Sequence, residues 1–128
     1  MELSNTGVCV AMKYVPWNPA DMNAVQGKYP SLGKGPVIPS LVSPERTVAG
    51  SGGMGVVEHV GRGTTDTDLR VGDWVTVAFP GMGTMRSVMH TSSDCWLPLR
   101  KGAELVDKCG PSASTLFQLG GTAYRMLH

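Results

Sequence analysis

Glycine and proline interrupt this chain every few residues, and the interruptions restrict it to short elements of secondary structure. There are 17 glycines and 9 prolines among the 128 residues, about a fifth of the total. Glycine weakens the interior of a helix or strand, and proline removes a backbone donor and breaks a helix. The runs between the interruptions are rich in β-branched residues. This pattern predicts a mainly β fold of short strands and turns, with a few short helices.

Five runs have the composition of strands. In Val8–Tyr14, one face carries valine, methionine and tyrosine while the other carries Cys9, Ala11 and Lys13. This alternation predicts a half-buried strand. The other predicted strands are residues 56–60, 74–79, 84–90 and 95–99. Residues 31–47 are predicted to be a long irregular connection, and residues 113–119 and 122–128 to form short helices.

A further short helix is predicted between Asn18 and Gly27. The Asn18 side chain can accept an otherwise unpaired backbone N–H, and Pro19 suits the first helical position because its missing N–H is not needed there. Asp21 lies in the first turn, where a negative charge favours the helix dipole. Gly27 is a natural stop. Tyr29 follows directly, so the sequence predicts a phenol presented at the end of this helix.

Residues 50–55 spell the dinucleotide-binding pattern G-x-G-x-x-G. That pattern binds a pyrophosphate only where it follows a strand and opens a helix. Here the β-branched run 56–60 comes next, so the glycines are predicted to form a flexible turn that leads into a strand. The sequence contains neither a Walker A motif nor a G-x-S-x-G motif.

Composition and charge exclude several classes of protein. The net charge is +1, with 11 basic and 10 acidic residues spread along the chain, which argues against nucleic-acid binding. No apolar run approaches the length of a membrane span, so no membrane association is expected. Cys9, Cys95 and Cys109 are odd in number and widely spaced, and the three histidines are scattered. We therefore expect no disulfide framework, no metal site and a reducing compartment.

Six motifs occur in a fixed order along the chain. They are WNPADMN at 17–23, QGKYP at 26–30, GVVEHVG at 55–61, VGDWV at 71–75, GMGT at 81–84 and GTAYRML at 121–127. Together they resemble the N-terminal half of the medium-chain dehydrogenase/reductase superfamily. The closest branch is the mitochondrial trans-2-enoyl thioester reductases, some of which are called nuclear receptor binding factor-like or quinone oxidoreductase-like proteins. The resemblance extends from about residue 8 to residue 127.

The resemblance implies a GroES-like, partly open β-barrel that fills residues 1–128. A Rossmann domain that binds NADPH is expected to follow, and residues 122–128 would begin the connecting helix. We therefore interpret His128 as a truncation point and expect the 128 residues alone to be inactive. The full-length protein would be a homodimer formed largely through the absent domain. The resemblance implies a mitochondrial location, with the cytoplasm as the alternative, because residues 1–7 show no transit-peptide signal.

The resemblance also implies a reaction and a set of site residues. A hydride from NADPH would reach the β-carbon of an enoyl-CoA or acyl-carrier-protein thioester, and a tyrosine matching Tyr29 would protonate the α-carbon. A phenol is a suitable acid for an enolate-like intermediate. Asn18, Asp21 and Asn23 would support the loop that carries Tyr29. Thr122 would contact the cofactor.

Two departures from the family pattern leave alternatives open. Leu119 stands where the family has an asparagine that contacts the cofactor, and leucine cannot make that hydrogen bond. The longer glycine-rich run at residues 50–55 also replaces the family's Gly-Asn-Glu-Gly-type turn. The zinc-dependent branches have cysteine in place of Asn18 and Gly-His-Glu in place of residues 50–52, so no zinc is expected. The alternatives are a non-enzymatic GroES-like binding module within a larger assembly and a zinc-independent quinone oxidoreductase.

Overall fold

The structure is a computed structural model that describes residues 6–26, 28 and 48–128. Its regular elements are β1 (Val8–Tyr14), α1 (Pro19–Val25), β2 (Met54–Val60), β3 (Trp74–Val77), β4 (Val88–Thr91), β5 (Trp96–Pro98), α2 (Gly102–Cys109) and α3 (Gly121–Leu127). A 3₁₀ segment, Gly110–Thr115, and a π-helical turn, Leu116–Gly120, connect α2 to α3. The predicted helix stop at Gly27, the predicted acid Tyr29 and the predicted connection 31–47 lie outside the described residues.

The five strands form one antiparallel sheet in the order β4-β1-β2-β3-β5. In a flat sheet the two edge strands would be about 19 Å apart, since neighbouring strands are spaced by about 4.8 Å. Here residues 92–95 alone connect β4 to β5. The Trp96 indole N–H donates to Thr91 Oγ1 across this connection at 2.6 Å. The sheet therefore curls until its edges approach each other, which confirms the prediction of a mainly β, partly open barrel.

The core lies within this curled sheet. Val8, Val10 and Val75 are fully buried there, and seven further buried side chains complete the cluster: Val57, Leu69, Val77, Met82, Met89, Cys95 and Trp96. Packing of β-branched and sulfur-containing side chains at this density is the main source of stability in a domain of this size.

The prediction that β1 is half-buried is wrong for its first four residues. Cys9 and Ala11, on the supposedly exposed face, keep only 9% and 6% of their surface accessible. Directly opposed side chains of neighbouring strands lie close together. Cys9 stands between His59 and His90 in the strand register, and Ala11 similarly has a valine on each side. Larger neighbours on both flanking strands therefore cover these two small side chains.

Several predicted boundaries differ from the observed ones. β2 begins at Met54, two residues earlier than predicted, and β3 ends at Val77 rather than at residue 79. The predicted strand 84–90 is reduced to Val88–Thr91, because Arg86 N–H turns back to donate to the Thr84 carbonyl. The predicted strand 95–99 is reduced to Trp96–Pro98.

The helical end of the chain was only partly predicted. The sequence prediction missed α2, which begins without a side-chain cap but carries a Glu104–Lys108 pair at 2.7 Å, a spacing typical of helices. The single helix predicted for residues 113–119 is divided between the 3₁₀ segment and the π-helical turn. The helix predicted for residues 122–128 is confirmed as α3. No helix in the described part of the chain has the length and apolar character to cross a membrane.

Candidate functional site

The predicted cap of α1 is confirmed in detail. Asn18 Oδ1 accepts hydrogen bonds from the backbone N–H groups of Ala20 at 2.9 Å and Asp21 at 3.3 Å. The Asp21 carboxylate reciprocates by accepting from Asn18 N–H at 3.0 Å. Pro19 occupies the first helical position. This capping box fixes both the start and the direction of a helix of only seven residues.

Asp21 has a second role that the sequence did not indicate. Its side chain is almost completely buried, and Oδ1 accepts a hydrogen bond from Ser51 N–H at 2.9 Å. A buried carboxylate is tolerated where charge-assisted hydrogen bonds replace its water. Asp21 therefore attaches α1 to the glycine run, which we define as residues 50–55.

The glycine run is buried and hydrogen-bonded on both sides. Thr84 Oγ1 donates to the Gly52 carbonyl at 2.6 Å, and Thr76 Oγ1 donates to the Gly53 carbonyl at 2.8 Å. Gly50, at φ +111°, adopts a backbone conformation that side-chain-bearing residues rarely take. The prediction that the run leads into a strand is confirmed, because β2 starts at Met54. The prediction of a flexible turn is wrong, because Asp21 and two buried threonines hold the run in place.

A cleft of about 530 Å³ lies beside the glycine run, which is within the usual range for a small-molecule site. Its three sides are the glycine run, the end of β3 with the residues that follow, and the segment from the 3₁₀ turn into α3. The lining residues are Ser51, Gly52, Gly53, Thr76, Val77, Ala78, Phe79, Pro80, Ser114, Gln118, Gly121, Thr122, Tyr124 and Arg125. The walls are largely apolar with a few polar groups, the usual composition of a ligand site.

Gln118 is the cleft residue that sequence reasoning missed. Its Oε1 accepts a long hydrogen bond of 3.5 Å from Asn18 Nδ2. A Cβ atom added to Gly52 would lie 2.7 Å from the same oxygen, so the amide packs directly on bare glycine backbone. The residues around Gln118 in the sequence show no polar periodicity. The direction of the Gln118 side chain depends on the π-helical turn. No sequence signal could have indicated it.

The sequence drew attention to Thr122 and Leu119 as positions near the cofactor, and the structure places only one of them at the cleft. Thr122 lines the cleft, and its hydroxyl donates to the Gln118 carbonyl at 2.8 Å. Leu119 is 52% exposed and is not among the residues that line the cleft. The π-helical turn thus directs Gln118 toward the cleft and Leu119 away from it.

Asn23 lies apart from the large cleft. It lines a smaller cavity of about 360 Å³ together with Trp17, Asn18, Pro19 and Met22. Its backbone carbonyl accepts a hydrogen bond from Lys28 N–H at 2.9 Å. The backbone at Lys28 is thus attached to α1.

The buried thiols are unsuited to nucleophilic chemistry. Burial, reinforced by Glu58, raises the pKa of Cys9, and burial together with Asp94 raises the pKa of Cys95. A raised pKa keeps a thiol protonated and unreactive. Neither residue lines the cleft. In residues 6–26, 28 and 48–128 no group of three or more His, Cys, Asp or Glu side chains is arranged to hold a metal ion.

The chain is similar to known proteins of one family. Residues 4–124 match the family model described as the alcohol dehydrogenase GroES-like domain. The chain is 36% identical over 130 residues to the mitochondrial enoyl-[acyl-carrier-protein] reductase of Bos taurus, covering 99% of the chain and 30% of that protein.

Solved structures of enoyl thioester reductases are also similar to this chain. A mutant enoyl thioester reductase from Candida tropicalis is 28% identical, with a TM-score of 0.78, and the match covers 98% of this chain and 35% of that one. The Etr1p/NADP/crotonyl-CoA complex is 29% identical, with a TM-score of 0.67, over 84% of this chain and 29% of that one. The chain thus spans about a third of the length of the proteins it matches.

Proposed function

Starting from the premise that this chain belongs to the alcohol dehydrogenase GroES-like domain family, we propose that it is the substrate-binding domain of an NADPH-dependent trans-2-enoyl thioester reductase. The observation that carries the proposal is the 36% identity to an enoyl-[acyl-carrier-protein] reductase over 99% of the chain. The cleft beside the glycine run supports it, since it is an apolar site with a few polar groups. The substrate would be a 2-enoyl thioester of CoA or of acyl carrier protein.

The cleft fits the nicotinamide end of NADPH. Val77, Ala78 and Phe79 provide an apolar wall for a flat ring, and Gln118 and Thr122 provide polar groups beside it. The glycine run is unsuited to a pyrophosphate, because it is buried and Ser51 N–H already donates to Asp21. The remainder of the dinucleotide would therefore bind to a further domain. NADPH bound there would supply a hydride to the β-carbon of the enoyl group.

Tyr29 is the proposed acid for the second half of the reaction. As the β-carbon receives the hydride, the electron pair of the carbon–carbon π bond moves toward the thioester, and the α-carbon then takes a proton. The phenol O–H provides this proton, and solvent restores it afterwards. Lys28, the residue before Tyr29 in the sequence, donates its N–H to the Asn23 carbonyl of α1. Asn18 and Asp21 hold the other end of α1.

Substitution Tyr29→Phe in the native protein that carries this chain tests the proposal. Crotonyl-CoA reduction with NADPH is followed at 340 nm, and we expect kcat to fall by about 10²–10⁴-fold, the usual contribution of a general acid. The matched control is Tyr14→Phe, because Tyr14 lies in β1 and stacks on Trp74 at 6.4 Å, a contact that phenylalanine preserves. The control should retain the wild-type rate.

The possible outcomes separate the alternatives. A Tyr29→Phe rate within about tenfold of wild type would exclude proton donation by this residue. Reduction of quinones but not of crotonyl-CoA would favour the quinone oxidoreductase. Binding of neither NADPH nor crotonyl-CoA would favour the non-enzymatic binding module. The 128 residues tested alone should not reduce crotonyl-CoA, because they lack most of the proposed cofactor site.

The remaining parts of the proposal concern cofactors, assembly and location. Activity should persist after treatment with a chelator, since the proposed chemistry uses no zinc. The full-length protein is proposed to be a homodimer that binds neither nucleic acid nor membranes. A mitochondrial location is proposed because the bovine relative is a mitochondrial protein. Fractionation of cells would distinguish this location from the cytoplasm.

A further inference from the structure

The π-helical turn Leu116–Gly120 places one amide side chain in the wall of the cleft. A π-helical turn contains one more residue than an α-helical turn, so it changes which side chains share a face, and such turns are frequent at functional sites. Here Gln118 contacts Asn18 and Gly52, whereas Leu119 is half exposed. The residue of this turn that lines the cleft is therefore Gln118, which precedes Leu119 in the sequence.

The two ends of the Gln118 amide have different environments. Oε1 accepts from Asn18 Nδ2 and lies against the backbone of Gly52. Nε2 carries two N–H donors and has no hydrogen bond to any residue in the described part of the chain. The only buried side-chain nitrogen or oxygen without a partner in that part of the chain is Arg86 Nε, so Nε2 is not sealed inside the protein. Gln118 is part of the cleft wall, so a ligand bound there would lie beside an amide whose two donors have no partner among the described residues.

Two other polar residues of the cleft wall are less suited than Gln118 to donate a hydrogen bond to a ligand. Thr122 lines the same wall, but its hydroxyl hydrogen is already donated to the Gln118 carbonyl. Arg125 is exposed on α3, whereas Gln118 is half-buried and held by Asn18. A half-buried donor with one end fixed loses less freedom when it binds a ligand than an exposed side chain does.

We propose that Gln118 Nε2 donates a hydrogen bond to a carbonyl oxygen of the bound ligand while Asn18 holds Gln118 Oε1. This inference rests on the proposed function, which supplies two such oxygens: the carboxamide of the nicotinamide ring and the carbonyl of the thioester. Gln118 would position the ligand at the cleft without taking part in proton or hydride transfer. Because Asn18 also caps α1, one side chain would connect the ligand to the helix that leads to Tyr29.

Two substitutions of Gln118 separate its donor from its acceptor. Gln118→Glu keeps an oxygen for Asn18 Nδ2 and removes the N–H donors, whereas Gln118→Met has similar length, adds no charge and removes both. The matched controls are Gln26→Glu and Gln26→Met, since Gln26 is exposed at the end of α1 and lines neither cavity. Unfolding midpoints of all four variants establish that they are folded.

Binding is measured in the native protein without turnover. NADPH is titrated by its fluorescence in the absence of thioester, and crotonyl-CoA by calorimetry in the absence of NADPH. We expect both Gln118 variants to raise the Kd of the same ligand by roughly five- to tenfold, the contribution of one neutral hydrogen bond. A raised Kd for NADPH identifies the carboxamide as the acceptor, and a raised Kd for crotonyl-CoA identifies the thioester. Both Gln26 controls should bind like the wild type.

A third variant tests the connection through Asn18. Asn18→Asp keeps the oxygen that caps α1 but removes the Nδ2 donor to Gln118, so it should raise the same Kd by less than the Gln118 variants do. Unchanged Kd values for both ligands in Gln118→Met would overturn the inference. A wild type that binds both ligands without reducing crotonyl-CoA would contradict the proposed function alone, and the binding data would still decide the role of Gln118.

Discussion

The β part of the chain, which we define as residues 8–26 and 48–98, and the helical part, residues 102–127, face each other across the cleft and are stabilised in different ways. Ala113 is the one buried apolar side chain that the described residues contribute from the helical part; all the others lie in the β part. α3 buries none of its residues, and Met126 and Leu127 are each 82% exposed. The β side of the cleft is thus held by a packed core, whereas the helical side buries little apolar surface and contacts the β part through the packing of Gly102 on Trp74 and the long bond between Gln118 and Asn18. Pairs of identical substitutions, one in each part, test this difference directly.

Glycine-to-alanine substitutions should give the largest contrast. A Cβ on Gly55, in β2, would lie 2.4 Å from the Ala11 carbonyl oxygen, so the paired strands must separate. We expect Gly55→Ala to lower the free energy of unfolding by about 3 kcal/mol, at the upper end for overpacking. Gly121, at the start of α3, has nothing within 4 Å of such a Cβ, and Gly121→Ala should raise the free energy by up to about 1 kcal/mol.

Urea unfolding followed by tryptophan fluorescence measures both values. Equal effects of the two substitutions would mean that the helical part is packed as tightly as the β part, which would contradict the difference in packing described above. A soluble but unfolded Gly55→Ala protein would agree with the predicted direction and set a lower limit on the loss.

Threonine-to-valine substitutions should give a smaller contrast from the same kind of hydrogen bond. Thr84 Oγ1 donates to the Gly52 carbonyl at 2.6 Å in a fully buried position, and Thr122 Oγ1 donates to the Gln118 carbonyl at 2.8 Å in an exposed one. Thr84→Val leaves a buried carbonyl without its partner, so we expect a loss of about 1–3 kcal/mol. Thr122→Val should change stability by less than about 0.5 kcal/mol, because water replaces the lost contact.

Thermal unfolding of the two valine variants provides the measurement. A loss for Thr122→Val as large as that for Thr84→Val would show that α3 is covered in the native protein. In that case the exposure described here would not apply to the assembled molecule.

The cysteines should give the smallest contrast, seen as a dependence on pH. Burial raises the pKa of Cys9 and of Cys95 above the ordinary value of 9.0. As the pH rises past 9, the unfolded chain releases these protons first, while the folded chain still holds them. The free energy of unfolding should therefore be fully retained below about pH 9 and fall as the pH rises toward the higher folded values. Cys109 is exposed at the end of α2.

Unfolding midpoints between pH 8 and 10.5 in wild type and Cys95→Ala test this expectation. Cys95→Ala should have a shallower decline with pH than the wild type. Mass spectrometry after brief alkylation should find Cys109 modified first. Modification of Cys95 before Cys109 would contradict the assignment of the buried thiol.

The elements that the sequence predicted well are those whose signals are local. The cap at Asn18 and Pro19 was predicted because capping depends on a few adjacent residues. The first strand was predicted with its exact bounds from its alternation, and the glycine run was correctly separated from a dinucleotide fingerprint by the strand that follows it. Local signals also explain the errors. Residues 84–87 have the composition of a strand, but Thr84 N–H donates to the Gly50 carbonyl and Arg86 N–H turns back to the Thr84 carbonyl.

The candidate site was predicted only in part for the same reason. Thr122 lines the large cleft, whereas Asn18 and Asn23 line the smaller cavity, and Tyr29 is outside the described residues, so the role of each stays a prediction. The bond from Ser51 to Asp21 joins positions 30 residues apart, and the contact from Asn18 to Gln118 joins positions 100 residues apart. No local pattern encodes such pairs.

The order of its motifs and the spacing of its glycines and β-branched residues were enough to determine the family of this chain, its mainly β character and the start of α1. Only the tertiary structure decided that the glycine run is buried, that Asp21 holds it, and that Gln118 rather than Leu119 faces the cleft. The physical reason is that capping and strand alternation depend on neighbouring residues. Burial and the direction of a side chain on a π-helical turn instead depend on how distant segments pack against one another.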